Sequence, residues 1–185
     1  MKKTTFFLIM LGLLTWGLQA VDLDLGLFYG TRSVKDAQIK EVYGNGTAFF
    51  PHVSVGIWKG VFAGLGYEFG YDRDGRIGLY QEETNLKVTG LEFFAGYRFH
   101  LGKVSPYVKL GLGSYSFKQV VSGKTTVDDK KSSLTLAAGA KFFPIKSLFL
   151  AAEIKYVPLK VKPIGTEVDL GGMRLAAGIG YTFNL

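Results

Sequence analysis

The sequence predicts an all-β fold, an eight-stranded antiparallel up-and-down transmembrane β-barrel, and three observations support this. Apolar and polar residues alternate along segment after segment, for example over 21–30 and 63–72. Because successive side chains of a strand point to opposite faces, this period of two indicates strands with one apolar face and one polar, glycine-rich face. Nearly all charges within the apolar runs share one parity, and long polar connections alternate with very short ones. Both features are typical of barrels whose outer face meets lipid.

Eight apolar runs predict the strands, and the connections order them. The predicted strands are 21–30, 47–58, 61–72, 84–100, 105–117, 132–143, 148–157 and 172–185. The long connections are 31–46, 73–83, 118–131 and 158–171, and the short ones are 59–60, 101–104 and 144–147. The long loops therefore gather at one end of the barrel, and the short turns and both termini at the other. No helical period interrupts the pattern, which indicates a single domain.

The two strand faces differ enough to predict which one meets lipid. One parity is apolar throughout, with Lys87 and Lys118 as exceptions near the loop ends. A soluble barrel would have to enclose this apolar set, but an eight-stranded interior is only wide enough for side chains to fill. Facing outward, the apolar set meets lipid, where a midplane Lys or Arg would cost about 2–4 kcal/mol. Aromatic girdles are predicted at the loop ends (Tyr29, Phe49, Phe69, Tyr71, Tyr156) and at the turn ends (Tyr97, Phe99, Phe142, Tyr181, Phe183).

The first twenty residues and the overall composition predict an exported protein. Residues 1–20 combine Lys2 and Lys3, an apolar run and a cleavage site at Ala20, so they are predicted to be a signal peptide that leaves 21–185 as the barrel domain. The remainder has no apolar run long enough for a membrane helix, and the absence of cysteine excludes a lipid-anchored lipoprotein. The net charge is +7, but no basic stripe with interleaved aromatics indicates a nucleic-acid partner. No phosphate-binding glycine motif or zinc cluster predicts a cofactor or a metal.

Three stretches resemble known protein families. The end of the chain resembles the terminal signal of bacterial outer-membrane proteins, with Gly180, Tyr181, Phe183 and Leu185 as the matching residues. The resemblance implies recognition by the barrel-assembly machinery. Segments 91–99 and 106–113 resemble the small eight-stranded outer-membrane barrels of the OmpA/OmpX type. This implies a place in the bacterial outer membrane, among its lipids and lipopolysaccharide. Because the chain reaches only the eighth strand, the periplasmic peptidoglycan-binding domain of OmpA proteins is expected to be absent.

The inward charges are the main candidate site. Buried charges persist only when they are paired and hydrogen-bonded, so a lumen network is predicted in which three glutamates lie near Lys109, Lys155 and Arg174. Its members are Glu68, Glu92, Glu153, Arg98, Lys109, Lys141, Lys155 and Arg174. Asp22, Asp24 and Asp72 share their parity. The network is predicted to plug the barrel, and a gate onto a narrow ion path is the alternative.

A second motif is a candidate catalytic site. His52 and Ser54 share the inward face of the second strand and superficially resemble the pair of outer-membrane lipid A deacylases. No third partner is identifiable and the parity points away from lipid, so no catalytic residue is predicted. The predicted function is structural or surface-interacting: envelope integrity, adhesion or binding through the four extracellular loops, with 78–80 as the most apolar tip. A narrow channel is the alternative, followed by a lipid A-modifying enzyme.

Overall fold

The computed structural model describes residues 22–162 and 167–184, and within them eight strands close into one barrel. The elements are β1 (Asp22–Arg32), α1 (Ala37–Tyr43), β2 (Gly46–Trp58), β3 (Val61–Ile77), β4 (Glu82–Arg98), β5 (Val104–Val121), β6 (Lys124–Phe142), β7 (Leu148–Val157), β8 (Lys160–Val161), β9 (Val168–Asp169) and β10 (Gly172–Asn184). The barrel strands are β1 to β7 and β10, each antiparallel to its neighbours. The predicted fold class is confirmed.

Closure depends on the pairing of the first and last strands. β1 and β10 run antiparallel from Asp22 opposite Asn184 to Arg32 opposite Arg174, without a register shift. Because no water is available in lipid to satisfy free backbone groups, a sheet can span a membrane only when every strand has two neighbours. The predicted segments 1–20, and Leu185, lie outside the described residues.

The apolar parity faces outward, as predicted. Leu110, Leu112 and Leu134 are each 62–64% exposed, although they lie in the middle of their strands. The charged residues of the other parity are buried: Glu92, Lys109 and Lys141 are at most 6% exposed. A soluble protein would not expose a continuous apolar belt of this kind, so the belt marks the surface that meets lipid.

A bulge in β3 overturns two of the predicted positions. Between Glu68 and Tyr71 the β3–β4 register shifts by one residue, at Gly70, whose φ is 103°. The shift exchanges the two faces beyond it. Tyr71 is therefore 1% exposed inside the barrel and not part of the outer girdle, and Asp72 points outward to an ion pair with Lys87 at 3.1 Å. The amide of Asn85 donates to Asp72 and, together with Lys87, holds the pKa of that carboxyl below its usual value.

Two of the predicted long loops are largely strand. β3 and β4 continue through 73–83 to a turn at 78–81, and β5 and β6 continue through 118–131 to a turn at Ser122–Gly123. Both Ser122 and Gly123 have positive φ (46° and 77°), as in the two-residue turns that match strand twist. Hydrophobic patterning does not predict these extensions because their outward faces are polar, as at Asp74, Arg76 and Lys118. The two hairpins stand above the apolar belt.

The other two loops fold together over the same end of the barrel. Residues 33–45 and 158–171, where described, form what we call the cap. It contains the short helix α1, which the sequence did not predict, capped by Asp36 through the amides of Gln38 and Ile39. No helix of the described residues is long and apolar enough to cross a membrane. Val34, Tyr43, Leu159 and Leu170 of the cap are at most 5% exposed and join an apolar cluster with the upper barrel wall.

Replacing Leu110 by Arg tests the outward face. Leu110 lies in the apolar belt, so the charge is expected to lower the free energy of unfolding by about 2–4 kcal/mol. The matched control is Leu79→Arg at the exposed β3–β4 turn, expected to change it by less than about 0.5 kcal/mol. Urea unfolding in lipid vesicles measures both, and equal effects at the two positions would contradict the assignment.

Candidate functional site

The lumen charges form three tiers, and the lowest surrounds Asp24. Asp24 is fully buried near the start of β1. One carboxylate oxygen accepts from Arg98 Nη2 at 2.5 Å and from Lys141 Nζ at 2.7 Å. The other oxygen accepts from the hydroxyl of Thr182 at 2.6 Å. One carboxylate therefore links β1 to β4, β6 and β10 at the end where the short turns lie.

The middle tier consists of two one-to-one ion pairs. Lys109 lies 2.7 Å from Glu153, and Lys155 lies 2.7 Å from Glu92. Each carboxylate also accepts a neutral donor at 2.7 Å. Glu153 accepts from the Tyr107 hydroxyl, and Glu92 accepts from Thr135. The tier is charge-balanced, and it places two of the three predicted glutamates beside two of the cations predicted to lie near them.

The upper tier places two arginines on one carboxylate. Arg32 and Arg174 are each 1% exposed, and both form ion pairs with Glu68. Arg32 also donates to the Leu170 carbonyl of the cap at 3.0 Å. Arg32 Nε, Arg174 Nε and Nη2, and the Tyr115 hydroxyl have no hydrogen-bond partner among the described residues. Since six cations accompany four carboxylates in the three tiers, the lumen carries an excess of positive charge at its two ends.

Aromatic rings offset the excess of positive charge in the lumen. Each of the six cations lies within 6 Å of the centre of a ring, where cation–π attraction adds to ion pairing. The pairs are Arg32 with Tyr71 (4.8 Å), Arg98 with Phe62 (5.5 Å), Lys109 with Phe94 (4.6 Å), Lys141 with Phe149 (4.2 Å), Lys155 with Phe50 (4.3 Å) and Arg174 with Tyr115 (5.4 Å). Inward glycines make room for the rings: a Cβ at Gly178 would lie 2.7 Å from Phe28.

The free space among these side chains is small. A cavity of about 10 Å³ lies at the middle tier, between Glu92, Lys109, Glu153 and Lys155. This volume accommodates roughly one water molecule. The ring of His52 borders it, between Phe28 (4.9 Å) and Phe94 (5.7 Å).

All eight predicted network residues line the lumen, and sequence reasoning missed two features of it. Arg32 falls in the predicted connection 31–46, because the first strand is predicted to end at residue 30, two residues before the end of β1. Asp24 had the right parity but was not recognised as the partner of Arg98 and Lys141. Asp72 lies outside the lumen because the bulge at Gly70 turns its side chain to the outer face. No group of three or more potential metal ligands occurs within 22–162 and 167–184.

The residues matching the terminal signal lie on β10. Tyr181 and Phe183 face outward, 44% and 42% exposed, with ring centres 4.7 Å apart. Gly180 faces inward against Phe149. Leu185 lies outside the described residues.

A family comparison decides the classification. The family model for the outer membrane protein beta-barrel domain matches residues 7–183. The chain belongs to this family. Its place in the bacterial outer membrane follows, and with it the direction of the barrel: short turns to the periplasm, hairpins and cap to the outside.

Solved structures of outer-membrane barrels share the fold at low sequence identity. OprG of Pseudomonas aeruginosa is 12% identical, with a TM-score of 0.65 over 90% of this chain and 97% of that one. Neisserial surface protein A is 17% identical, with a TM-score of 0.59 over 89% and 96%. Ail of Yersinia pestis, in complex with the heparin analogue sucrose octasulfate, is 19% identical, with a TM-score of 0.58 over 90% and 100%. The curated proteins contain no match.

Replacing Asp24 by Ala tests the lowest tier. The change leaves Arg98 and Lys141 buried without a carboxylate, so we expect the free energy of unfolding to fall by about 3–5 kcal/mol. Asp72→Ala is the matched control, because its pair with Lys87 is exposed and contributes about 0–1 kcal/mol. Urea unfolding in vesicles measures both, and a loss at Asp24 no larger than at Asp72 would contradict the role of this carboxylate.

Proposed function

We propose that the protein is a closed outer-membrane barrel with a structural or surface-interaction role, and that the lumen charge network plugs it. The observation that carries the proposal is the filling of the lumen by three tiers of mutually paired charges and rings. A solute could pass only if ion pairs at 2.5–2.7 Å were broken at the lower and middle tiers. The 10 Å³ cavity at the middle tier is too small for a hydrated ion.

The cap supports closure from the outside. The Tyr43 hydroxyl is 2.8 Å from Thr84 Oγ1 and accepts from Gln119 Nε2 at 2.7 Å, which ties α1 to β4 and β5. Backbone bonds from Lys35 to Gly171 and from Asp36 to Asp169 join the two halves of the cap. The apolar cluster that includes cap residues also contains Tyr71 and Tyr115, whose rings contact Arg32 and Arg174 of the upper tier.

The surfaces left for an external partner are mainly the hairpin turns. Val34, Tyr43 and Leu159 of the cap are buried, whereas Leu79 and Tyr80 are 97% and 91% exposed at the β3–β4 turn. We therefore propose this turn as the principal contact for an extracellular ligand. Ail, a barrel of the same fold, has been crystallised with a heparin analogue. Envelope integrity through lipid and lipopolysaccharide contacts is the other half of the proposed role.

An enzymatic role has little support. His52 lies inside the lumen between two phenylalanines, away from lipid, and no carboxylate hydrogen-bonds to it among the described residues. The proposal further includes export through a signal peptide at 1–20 and assembly through the terminal residues Gly180, Tyr181, Phe183 and Leu185.

Conductance in planar bilayers tests the plug. The purified protein is expected to show no steady current, because the lumen pairs leave no aqueous path. The double variant Glu92→Ala/Lys155→Ala keeps the net charge of the middle tier and removes two of its side chains, so it is expected to show openings. Steady ohmic currents from the unaltered protein would overturn the plug and favour the channel.

The lipid A of expressing cells tests the enzymatic alternative. Mass spectrometry is expected to show the same acyl-chain number with the protein, with its His52→Ala variant and with an empty vector. A missing acyl chain that depends on His52 would establish the enzyme and end the proposal of a purely structural role.

A further inference from the structure

We propose that the periplasmic mouth of the barrel binds the phosphate group of an anionic phospholipid. The site is a cavity of about 610 Å³, which we call the turn-end cavity. Its polar lining includes Asp22, Arg98, Lys103, Ser105, Lys146 and Thr182. The inference does not depend on whether the lumen conducts.

Backbone bonds between the turns fix the walls of the cavity. The amide of Phe143 donates to the Lys103 carbonyl at 2.8 Å, which joins the β4–β5 and β6–β7 turns. The amide of Thr182 donates to the Ser147 carbonyl at 2.7 Å, which joins the β6–β7 turn to β10. The cavity is therefore shaped before any ligand arrives, which lowers the entropic cost of binding.

Cations outnumber carboxylates around the cavity. Behind it, Arg98 and Lys141 share the single carboxylate of Asp24. At its rim, Lys103 and Lys146 have no carboxylate oxygen within 4 Å among the described residues. Only Asp22 adds a negative charge to the lining. A concave surface with this excess of positive charge attracts an anion.

The inner wall of the cavity offers donors of the kind that phosphate oxygens accept. Arg98 is 4% exposed, lines the cavity and donates from Nη2 to Asp24. Ser105 is 2% exposed, and its hydroxyl bonds to no described residue. A guanidinium and a hydroxyl beside the two exposed ammonium groups of Lys103 and Lys146 form a phosphate-binding set.

The surroundings of the cavity favour a lipid over free phosphate. Ile145 lines the cavity and is 63% exposed, and Leu101 in the neighbouring turn is 66% exposed. Phe99 and Tyr97 face outward at the same end, at the level of the membrane interface. A headgroup in the cavity could therefore leave its acyl chains against the apolar belt.

Fluorescence of Trp58 provides the readout. Trp58 lies in an adjoining cavity of about 210 Å³, which shares Asp22, Arg98 and His100 with the turn-end cavity. The protein, purified from outer membranes into a maltoside detergent, is titrated with three probes: dihexanoyl phosphatidylglycerol, dihexanoyl phosphatidylcholine and inorganic phosphate. We expect saturable binding of the phosphatidylglycerol at least about tenfold tighter than of the other two, which is the effect of one charge-assisted contact.

Reversing the charge of Lys103 and Lys146 tests whether these two residues bind the lipid. Lys103→Glu/Lys146→Glu is expected to weaken phosphatidylglycerol binding more than about tenfold. The matched control, Lys118→Glu/Lys130→Glu, makes the same charge change at the extracellular end and is expected to leave binding unchanged. Heat-dependent gel mobility confirms that both variants fold.

Two results would overturn the inference. Equal affinity for the two lipids, or affinity unchanged in Lys103→Glu/Lys146→Glu, would show that the turn-end cavity does not recognise the anionic headgroup. Inorganic phosphate binding as tightly as phosphatidylglycerol would overturn the assignment to a lipid.

Discussion

Six cations inside a membrane barrel impose the constraint on which the rest of the structure depends. A buried charge is tolerated only with a partner at close range, and the lumen provides four carboxylates and six rings. Because Asp24 contacts cations of two strands and a hydroxyl of a third, the pairing also joins strands that are not neighbours in the sheet. The network thus links strands across the lumen and stabilises the shape of the barrel. The inward glycines leave the space that the aromatic rings occupy.

The alternation of apolar and polar residues was sufficient to predict the barrel and the strand face that points outward, because contact with lipid requires an apolar face. Every outward position in the belt must be apolar. Residues such as Leu110 and Leu134 therefore indicate directly which face of their strand meets lipid. The predictions failed where lipid no longer acts. Above the belt the outward faces of β3 to β6 meet water and no longer have to be apolar, so the period of two does not distinguish strand from loop there.

The sequence predicts which residues belong to the lumen charge network but not which of them form ion pairs with each other. Parity places Glu92 and Lys155 inside the barrel, but their contact depends on strand tilt and register, which no single strand encodes. One bulge at Gly70 was enough to turn Tyr71 inward and Asp72 outward. Arg32 was missed because the strand end was placed two residues early. An error of two residues at a strand end is enough to miss a buried charge, because residues at the very ends of the strands still line the lumen of a small barrel.

The positive excess at the two lumen ends connects the proposed plug to the proposed lipid site. The middle tier is neutral, whereas the upper and lower tiers each hold two cations on one carboxylate. At the upper end the Leu170 carbonyl of the cap and the ring of Tyr71 in β3 both contact Arg32 and offset part of the excess. At the lower end no cap exists among the described residues, and the excess opens onto a cavity lined by Lys103 and Lys146. The proposed anion would therefore add to the compensation that the rings of Phe62 and Phe149 give to Arg98 and Lys141 at this end.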